Sequence, residues 1–220
     1  MTRVKVCGLT TRGDLETAVE AGVDAVGIIC DVSVDTPREV SVDRASELVE
    51  ATPPFVTSVL VTMPDDLEAT IDLLERVDPD AVQLHGGATV EEIATVRTAV
   101  GGTVLLAIDA EEIESASAYD TAVDAFVVDT VDEDGGGGTG EVHDWDRTRA
   151  AAADLESPIV LAGGLTPENV PDAIRTVEPF AVDVASGVEA SGGVKDADAV
   201  RSFVARANGT TDPVDLEVNP

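Results

Sequence analysis

Two pairs of polar side chains occur at a spacing that places each pair on one face of a strand. One residue separates Lys5 from Cys7 in an otherwise apolar run, and one residue separates Gln83 from His85 in another. Alternate residues of a strand point to the same side of a sheet. Thiol and imidazole groups can transfer protons, and an ammonium group can bind a nearby anion. If these runs end at one edge of a sheet, they predict a polar site there.

Two aspartates extend this set. Asp129 ends a further apolar run and is followed by Thr130, whereas Asp183 lies in the last apolar run, shortly before Ser186 and Gly187. Carboxylates in such places can carry protons, bind hydroxyl groups or pair with cations. They are therefore candidate site residues.

Each of these residues also has a purely structural interpretation. Cys7, and still more Cys30, fits an inert core cysteine. Lys5 could serve only as a structural charge paired with one of the two aspartates. His85 could be a hydrogen-bonded pocket residue that takes no part in proton transfer. The residues alone leave both interpretations open.

Three glycine-rich segments point to a phosphorylated ligand. They follow the sixth, seventh and eighth apolar runs, at residues 134–140, 162–165 and 185–189. Backbone amides of such turns bind phosphate, and barrels with eight strands build phosphate sites after strands seven and eight. Such a site needs no Lys or Arg. The alternative is that the four-glycine run is a flexible surface linker.

The elements that must position these residues alternate along almost the whole chain. Eight short runs rich in Val, Ile and Leu are separated by amphipathic stretches with helical periodicity. Strands that are apolar on both faces and separated by helices are typical of a parallel sheet covered by helices. Eight such units predict an α/β fold, a single (β/α)8 TIM barrel, with its active site at the C-terminal ends of the strands. An open doubly wound sheet is the structural alternative. The predicted strands are 4–8, 25–30, 55–61, 81–85, 103–108, 125–129, 159–162 and 180–185.

Helix signals and chain length complete the outline. The predicted helices cover residues 15–21, 42–51, 67–77, 90–100, 113–119, 145–155, 167–177 and 197–207. Thr89 and Glu92 form a capping-box pattern, and Thr166 before Pro167 suggests a helix that begins at the proline. Length allows one domain, which we place at residues 1–208. Residues 209–220 lack periodicity and are expected to form a disordered acidic tail.

Composition limits the function classes. The 220 residues include 44 Asp and Glu but only 13 Lys and Arg, which gives a net charge of −31. This excess argues against partners such as nucleic acid or an anionic membrane surface. No apolar run approaches the length of a membrane span. Two cysteines offer neither a disulfide framework nor zinc-ligand spacing, so we expect a reduced, cytoplasmic setting.

Several of these motifs together resemble the phosphoribosylanthranilate isomerase family of tryptophan biosynthesis. The matches follow the family order from residue 4 to residue 196. Ala185, where the family commonly has Ser, removes one hydroxyl group from the expected phosphate site. The matching segments are VKVCGLT at 4–10, TPR at 36–38, VQLHG at 82–86, GGTG at 137–140, DW at 144–145, LAGGL at 161–165, PENV at 167–170 and DVASGVE at 183–189.

The resemblance implies an Amadori rearrangement of N-(5-phosphoribosyl)anthranilate to 1-(2-carboxyphenylamino)-1-deoxyribulose 5-phosphate, with no metal or organic cofactor. It implies Cys7 as general base, Asp129 as general acid and Arg38 as partner of the anthranilate carboxylate; a solvated loop arginine beside Glu39 is the alternative for Arg38. Pocket or supporting roles fall to Lys5, Gln83, His85 and Asp183. The implied phosphate site comprises Gly138, Thr139, Gly140, Gly163, Gly164, Ser186 and Gly187.

The proposed acid and base need shifted pKa values. A Lys5 ammonium beside Cys7 would favour the thiolate. Burial, or a second carboxylate such as Asp183, would raise the pKa of Asp129 enough for it to donate a proton near pH 7.

Competing functions lack matching residues. A histidine-pathway isomerase acting on a related ribosyl aminoaldose uses paired aspartates, so Asp would be expected where Cys7 stands. Indole-glycerol-phosphate synthase needs Lys and Glu residues that do not occur in matching places. A barrel that only binds phosphorylated ligands would need neither Cys7 nor Asp129.

The excess of negative charge also predicts that the protein works at high salt concentration. A surface this negative repels itself in dilute buffer, whereas the Debye length falls to about 3 Å at molar salt. We therefore expect a halophilic protein from a salt-rich cytoplasm, as a monomer or homodimer.

Overall fold

A computed structural model describes residues 2–63, 66–130 and 142–209. Eight parallel strands pair in chain order and close into a barrel when β1 pairs with β8, so the predicted TIM barrel is confirmed. The strands are β1 (Arg3–Val6), β2 (Ala25–Ile29), β3 (Thr57–Thr62), β4 (Ala81–His85), β5 (Thr103–Asp109), β6 (Ala125–Asp129), β7 (Ile159–Leu161) and β8 (Ala181–Val184).

Helices follow the strands on the outside of the barrel. They are α1 (Arg12–Ala21), α2 (Val42–Ala51), α3 (Leu67–Val77), α4 (Val90–Val100), α5 (Trp145–Ala152), α6 (Val170–Val177) and α7 (Ala197–Ala207). Within the described ranges, none is long and apolar enough to cross a bilayer.

The helix between β5 and β6 differs from the prediction. The sequence predicts a helix over 113–119, but a 3-10 helix covers Ala110–Ala118, with a kink at Glu112. Ala110, Ile113 and Ala116 are its buried residues. Their spacing of three matches the three residues per turn of a 3-10 helix, so one narrow apolar edge faces the barrel.

The two predicted helix starts have different outcomes. The capping box of α4 is confirmed, because Thr89 and Glu92 each accept a hydrogen bond from the other's backbone amide. The start at Pro167 is wrong, since α6 begins at Val170. The Asn169 side chain accepts from the Thr166 amide and donates to the Gly164 carbonyl, which fixes a turn before the helix.

A small antiparallel hairpin follows β8. A short 3-10 turn (Ser186–Val188) leads into β9 (Glu189–Ser191), and β10 (Val194–Lys195) returns through Gly192 and Gly193. Gly193 has φ +76°, and a Cβ there would lie 2.3 Å from the Pro37 carbonyl oxygen. Glycine therefore lets the hairpin lie directly against the loop after β2.

Two apolar layers hold the barrel. The larger layer lies between strands and helices and includes Phe126 and Phe203. The smaller fills the barrel interior and includes Cys7, Val127 and Val160. Polar side chains that enter the interior are consequently removed from water and need partners.

Candidate active site

Lys5 lies inside the barrel and is held by two other strands. Its Nζ donates to Asp183 Oδ2 on β8 at 2.6 Å and to Gln83 Oε1 on β4 at 3.0 Å. All three side chains are buried. Of the two ion pairs left open by the sequence, the structure therefore selects the one with Asp183.

Cys7 stands just beyond β1 and lines a pocket at the C-terminal mouth of the barrel. Its amide donates to the Val184 carbonyl at 2.8 Å, which ties it to the end of β8. Gly27 packs against it so closely that a Cβ there would lie 2.6 Å from the thiol sulfur. The thiol is thus fixed in position by its neighbours.

Burial raises the pKa of Cys7, although Lys5 and Lys195 lower it by their charge. Lys5 acts in the direction that the sequence suggested, but Asp183 shares its charge at 2.6 Å and itself raises the pKa of the thiol. Desolvation of the thiolate is the larger effect. The neutral thiol is the main form at neutral pH.

Asp129 ends β6 and lines the same pocket. Its Oδ1 accepts from the Thr130 amide at 2.8 Å. Burial, and after it the charge of Asp183, raises the pKa of Asp129 to about 6. A carboxylic acid with this pKa can donate a proton near neutrality, which is what an acid catalyst needs.

The glycine turns after β7 and β8 border this pocket. Gly163, Gly164, Ser186 and Gly187 all line it. Gly187 lies so near the β7 loop that a Cβ would lie 1.9 Å from the Leu165 carbonyl oxygen. Glycine therefore lets the turn after β8 lie directly against the loop after β7 at the edge of the pocket. Three further predicted phosphate residues lie outside the described residues: Gly138, Thr139 and Gly140.

Arg38 reaches the pocket from the loop after β2. Its Nε and Nη2 donate to the two carboxylate oxygens of Glu189 at 2.9 and 3.0 Å. The side chain is only 15% exposed, so the solvated arginine beside Glu39 is not what the structure shows. Gly8 makes room for its stem, since a Cβ there would lie 2.7 Å from Arg38 Cδ.

His85 and Asp183 are among the other predicted residues that line the pocket. His85 ends β4 and faces the pocket. Asp183 has one oxygen engaged by Lys5, while its buried Oδ1 has no hydrogen-bond partner in the described part of the chain. An acceptor of this kind inside a pocket fits a hydroxyl group of a ligand.

Glu189 and Lys195 are site residues to which the sequence assigned no role. Lys195 Nζ donates to Glu189 Oε1 at 2.8 Å and to the Ala185 carbonyl at 3.0 Å. A signal was present, because the chain has only two lysines, Lys5 and Lys195, and both are buried. A lysine is seldom buried without a partner or a role.

The chemistry available is proton transfer to and from a ligand, by a thiol and a carboxylic acid that line one pocket together with Arg38. Among residues 2–63, 66–130 and 142–209, no group of three His, Cys, Asp or Glu side chains is arranged to hold a metal ion.

Comparisons with known proteins agree on one family. Residues 4–206 match the family model of N-(5'phosphoribosyl)anthranilate (PRA) isomerase. A protein named N-(5'-phosphoribosyl)anthranilate isomerase from Natronomonas pharaonis is 60% identical, over 95% of this chain and 99% of its own length. The protein of that name from Halobacterium salinarum is 59% identical, over 97% and 99%.

A solved structure extends the likeness to the fold. A phosphoribosyl anthranilate isomerase crystallised in complex with reduced 1-(o-carboxyphenylamino)-1-deoxyribulose 5-phosphate is 34% identical and superposes with a TM-score of 0.81, covering 95% of this chain and all of that one. With a family model matched over nearly the whole barrel, the chain belongs to the N-(5'-phosphoribosyl)anthranilate isomerase family.

Proposed function

We propose that this protein catalyses the Amadori rearrangement of N-(5-phosphoribosyl)anthranilate to 1-(2-carboxyphenylamino)-1-deoxyribulose 5-phosphate, a step of tryptophan biosynthesis. The observation that carries the proposal is the pairing of Cys7 and Asp129 in one pocket of a barrel of this family. The family relative that binds the reduced product analogue supports the same substrate class.

Asp129 is the general acid of this mechanism. Its proton goes to the ring oxygen of the ribose, the bond between that oxygen and C1 breaks, and the anilino nitrogen supplies the electron pair that forms an iminium ion. A pKa of about 6 keeps a useful fraction of the acid protonated near neutrality.

Cys7 is the general base. Its thiolate removes the proton from C2 of the opened sugar, and the electrons of that C–H bond neutralise the iminium to give an enolamine. Tautomerisation of the enolamine leaves the ketone at C2. Because burial raises the pKa of Cys7, the active thiolate is a minor form, as expected for a base that must hold a proton after removing it.

The remaining pocket residues bind and orient the substrate. Arg38 holds the anthranilate carboxylate, for which a guanidinium is suited. The Asp183 Oδ1 atom accepts from a sugar hydroxyl, while Gln83 and His85 shape the floor and wall around it.

Phosphate binds at the backbone of the turns after β7 and β8. Gly163, Gly164, Ser186 and Gly187 line that end of the pocket. Glycines in turns let an anion approach backbone amides closely. Gly138, Thr139 and Gly140 are expected to join them.

The cellular setting follows from the charge. A net charge of −31 suits a salt-rich cytoplasm, and relatives with high identity come from haloarchaea such as Halobacterium salinarum. The barrel works without a cofactor, nucleic acid or membrane partner. The protein is expected to act as a monomer or a homodimer.

The direct test is turnover of N-(5-phosphoribosyl)anthranilate by the purified chain in concentrated potassium chloride. Loss of anthranilate-type fluorescence follows the substrate, and 13C NMR identifies the new ketone carbon of the product. Turnover with appearance of the ketone supports the proposal. A folded protein that leaves the substrate unchanged would contradict it.

A further inference from the structure

A buried cluster of one carboxylate and two cationic side chains, Glu189, Arg38 and Lys195, borders the pocket beside Cys7. Glu189, the first residue of β9, is only 5% exposed and accepts from both Arg38 and Lys195. The Lys195 side chain is fully buried. Burial alone would raise the pKa of Glu189, but the two cations hold it below its ordinary value. The carboxylate is therefore ionised at neutral pH.

Glu189 occupies one edge of the Arg38 guanidinium and leaves the other open. A guanidinium offers two edges that bind a carboxylate through parallel N–H donors, one formed by Nε and Nη2 and the other by the two Nη atoms. Glu189 takes the first edge through both of its oxygens. No described residue accepts from Nη1, although Arg38 lines the pocket.

Lys195 makes this arrangement compatible with an anionic ligand. Glu189 alone would neutralise Arg38 and weaken its attraction for a second carboxylate. The cluster of Arg38, Lys195 and Glu189 instead keeps a net charge of +1 beside the pocket. In a chain with a net charge of −31, this local excess of cations is a feature of the site.

The fold also restricts Arg38 to this position. Gly8 contacts its stem, and the hairpin that carries Glu189 lies against the loop that carries Arg38, where Gly193 meets Pro37. Thr10 Oγ1 donates to the Gly193 carbonyl at 2.7 Å and pins the hairpin to the loop after β1. Glu189 and Arg38 thus meet through elements that are packed together independently of their own ion pair.

We propose that Glu189 is a positioning residue, whose bidentate contact holds the guanidinium of Arg38 so that its free edge receives the carboxylate of an aromatic acid substrate. This inference rests on the proposed function, because it assumes that Arg38 binds that carboxylate. A fixed guanidinium loses less rotamer freedom when the substrate binds, so the contact acts mainly on affinity.

The test is steady-state kinetics of Glu189→Gln, with Glu39→Gln as matched control. Both variants remove one negative charge, but Glu39 is exposed, accepts only from the Val32 amide among the described residues and has no hydrogen bond or ion pair with Arg38 there. Glu189→Gln is expected to raise KM about tenfold and to change kcat less than twofold, because it removes ground-state binding. The control is expected to leave KM within twofold of the parent.

The Arg38→Ala background separates positioning from a general structural effect. If Glu189 acts through Arg38, adding Glu189→Gln to Arg38→Ala changes KM less than twofold further. An additional tenfold increase in that background would overturn the inference. An unchanged KM in Glu189→Gln alone would also overturn it, while leaving the role of Arg38 intact.

Glu189→Asp keeps the experiment decisive if the neutral variant does not fold. It retains the charge that Lys195 needs, but its shorter side chain cannot keep the bidentate contact with Arg38. The same rise in KM is expected, and parental KM in this variant would overturn the inference.

If Arg38→Ala itself leaves KM unchanged, the proposed carboxylate site is wrong, and that result is distinct from a failure of Glu189 alone.

Discussion

The Lys5 ammonium and the Asp183 carboxylate lie 2.6 Å apart inside the barrel, next to both candidate proton-transfer groups. Lys5 lowers the pKa of Cys7 and of Asp129, whereas Asp183 raises both. The two partners therefore oppose each other, and burial is the largest influence on the thiol and on the acid. This buried pair makes the protonation of the site sensitive to either partner.

The pair predicts how the pH profile changes when one partner is neutralised. The active form carries protonated Asp129 and ionised Cys7, so kcat/KM rises with pH until Asp129 titrates at about 6, stays level, and falls above the pKa of Cys7. Asp183→Asn removes a charge that raises both pKa values and leaves Lys5 unpaired. In Asp183→Asn, both the rise and the fall of kcat/KM should therefore occur at lower pH than in the parent.

The measurement is kcat/KM from pH 4.5 to 10 at constant molar salt. Asp172→Asn on α6 is the control, because Asp172 pairs with Arg175 at an exposed site. An acid limb that stays at its parental pH in Asp183→Asn would show that Asp183 does not act on Asp129.

Asp129→Asn is predicted to stabilise the fold while it removes the acid. The folded pKa of about 6 exceeds the ordinary 3.8, so the folded state binds more protons than the unfolded state between these values. The free energy of unfolding therefore falls as pH rises through that window, by about 3 kcal/mol for a shift of this size. The variant avoids this cost and should be about 1 to 3 kcal/mol more stable at pH 7.

Denaturant unfolding at pH 7 and pH 4 checks this prediction. The difference in the free energy of unfolding between Asp129→Asn and the parent should shrink to less than about 1 kcal/mol at pH 4, where Asp129 is protonated in the folded parent. Equal stabilisation at both pH values would mean that the pKa of Asp129 is not the cause.

Gly27→Ala is predicted to displace the base. The added methyl group would lie 2.6 Å from the Cys7 sulfur and 3.0 Å from its Cα, so the thiol must move. We expect kcat to fall by about tenfold to a hundredfold, since small displacements of a reacting group are costly.

Gly13→Ala on α1 is the control for this change. The nearest atom to its added methyl group is Thr11 Oγ1 at 3.8 Å, an ordinary contact. It should keep parental kcat. Parental kcat in Gly27→Ala would show that the position of the Cys7 thiol is not critical.

Stability is predicted to rise with salt. The net charge of −31 is spread over a surface whose ion pairs, such as Arg12 with Glu16, are mostly exposed. Raising potassium chloride from 0.1 M to 3 M shortens the Debye length from about 10 Å to below about 3 Å and screens the repulsion. The melting temperature should increase across this range, and a flat or falling melting temperature would contradict the prediction.

The sequence predicts the barrel well because the relevant information is local. Runs such as Ala25–Ile29 and Ala125–Asp129 consist almost entirely of apolar residues, so their bounds follow directly from composition. Period-two alternation likewise places Lys5 and Cys7 together. The 3-10 helix over Ala110–Ala118 was missed because three buried residues at a spacing of three fit an α-helix nearly as well.

Pairings between distant residues are what the sequence does not show. Glu189 contacts Arg38 across 151 positions; the matching segment at 183–189 includes Glu189, but nothing local shows that Arg38 is its partner. The hairpin that carries it had a local signal, the two glycines between Ser191 and Val194, which is typical of a two-residue turn. For Lys195, the sequence offers one indication of a role, which is that lysine occurs only twice in the chain.

The most direct test of the central claim is the kcat of Cys7→Ser for N-(5-phosphoribosyl)anthranilate, measured by fluorescence beside the parent in concentrated potassium chloride. A serine hydroxyl preserves the shape of the site but does not ionise in this pH range, so the base is lost. We predict that kcat falls by at least about a hundredfold while the fold, checked by circular dichroism, is retained. A kcat within threefold of the parent would contradict Cys7 as the base.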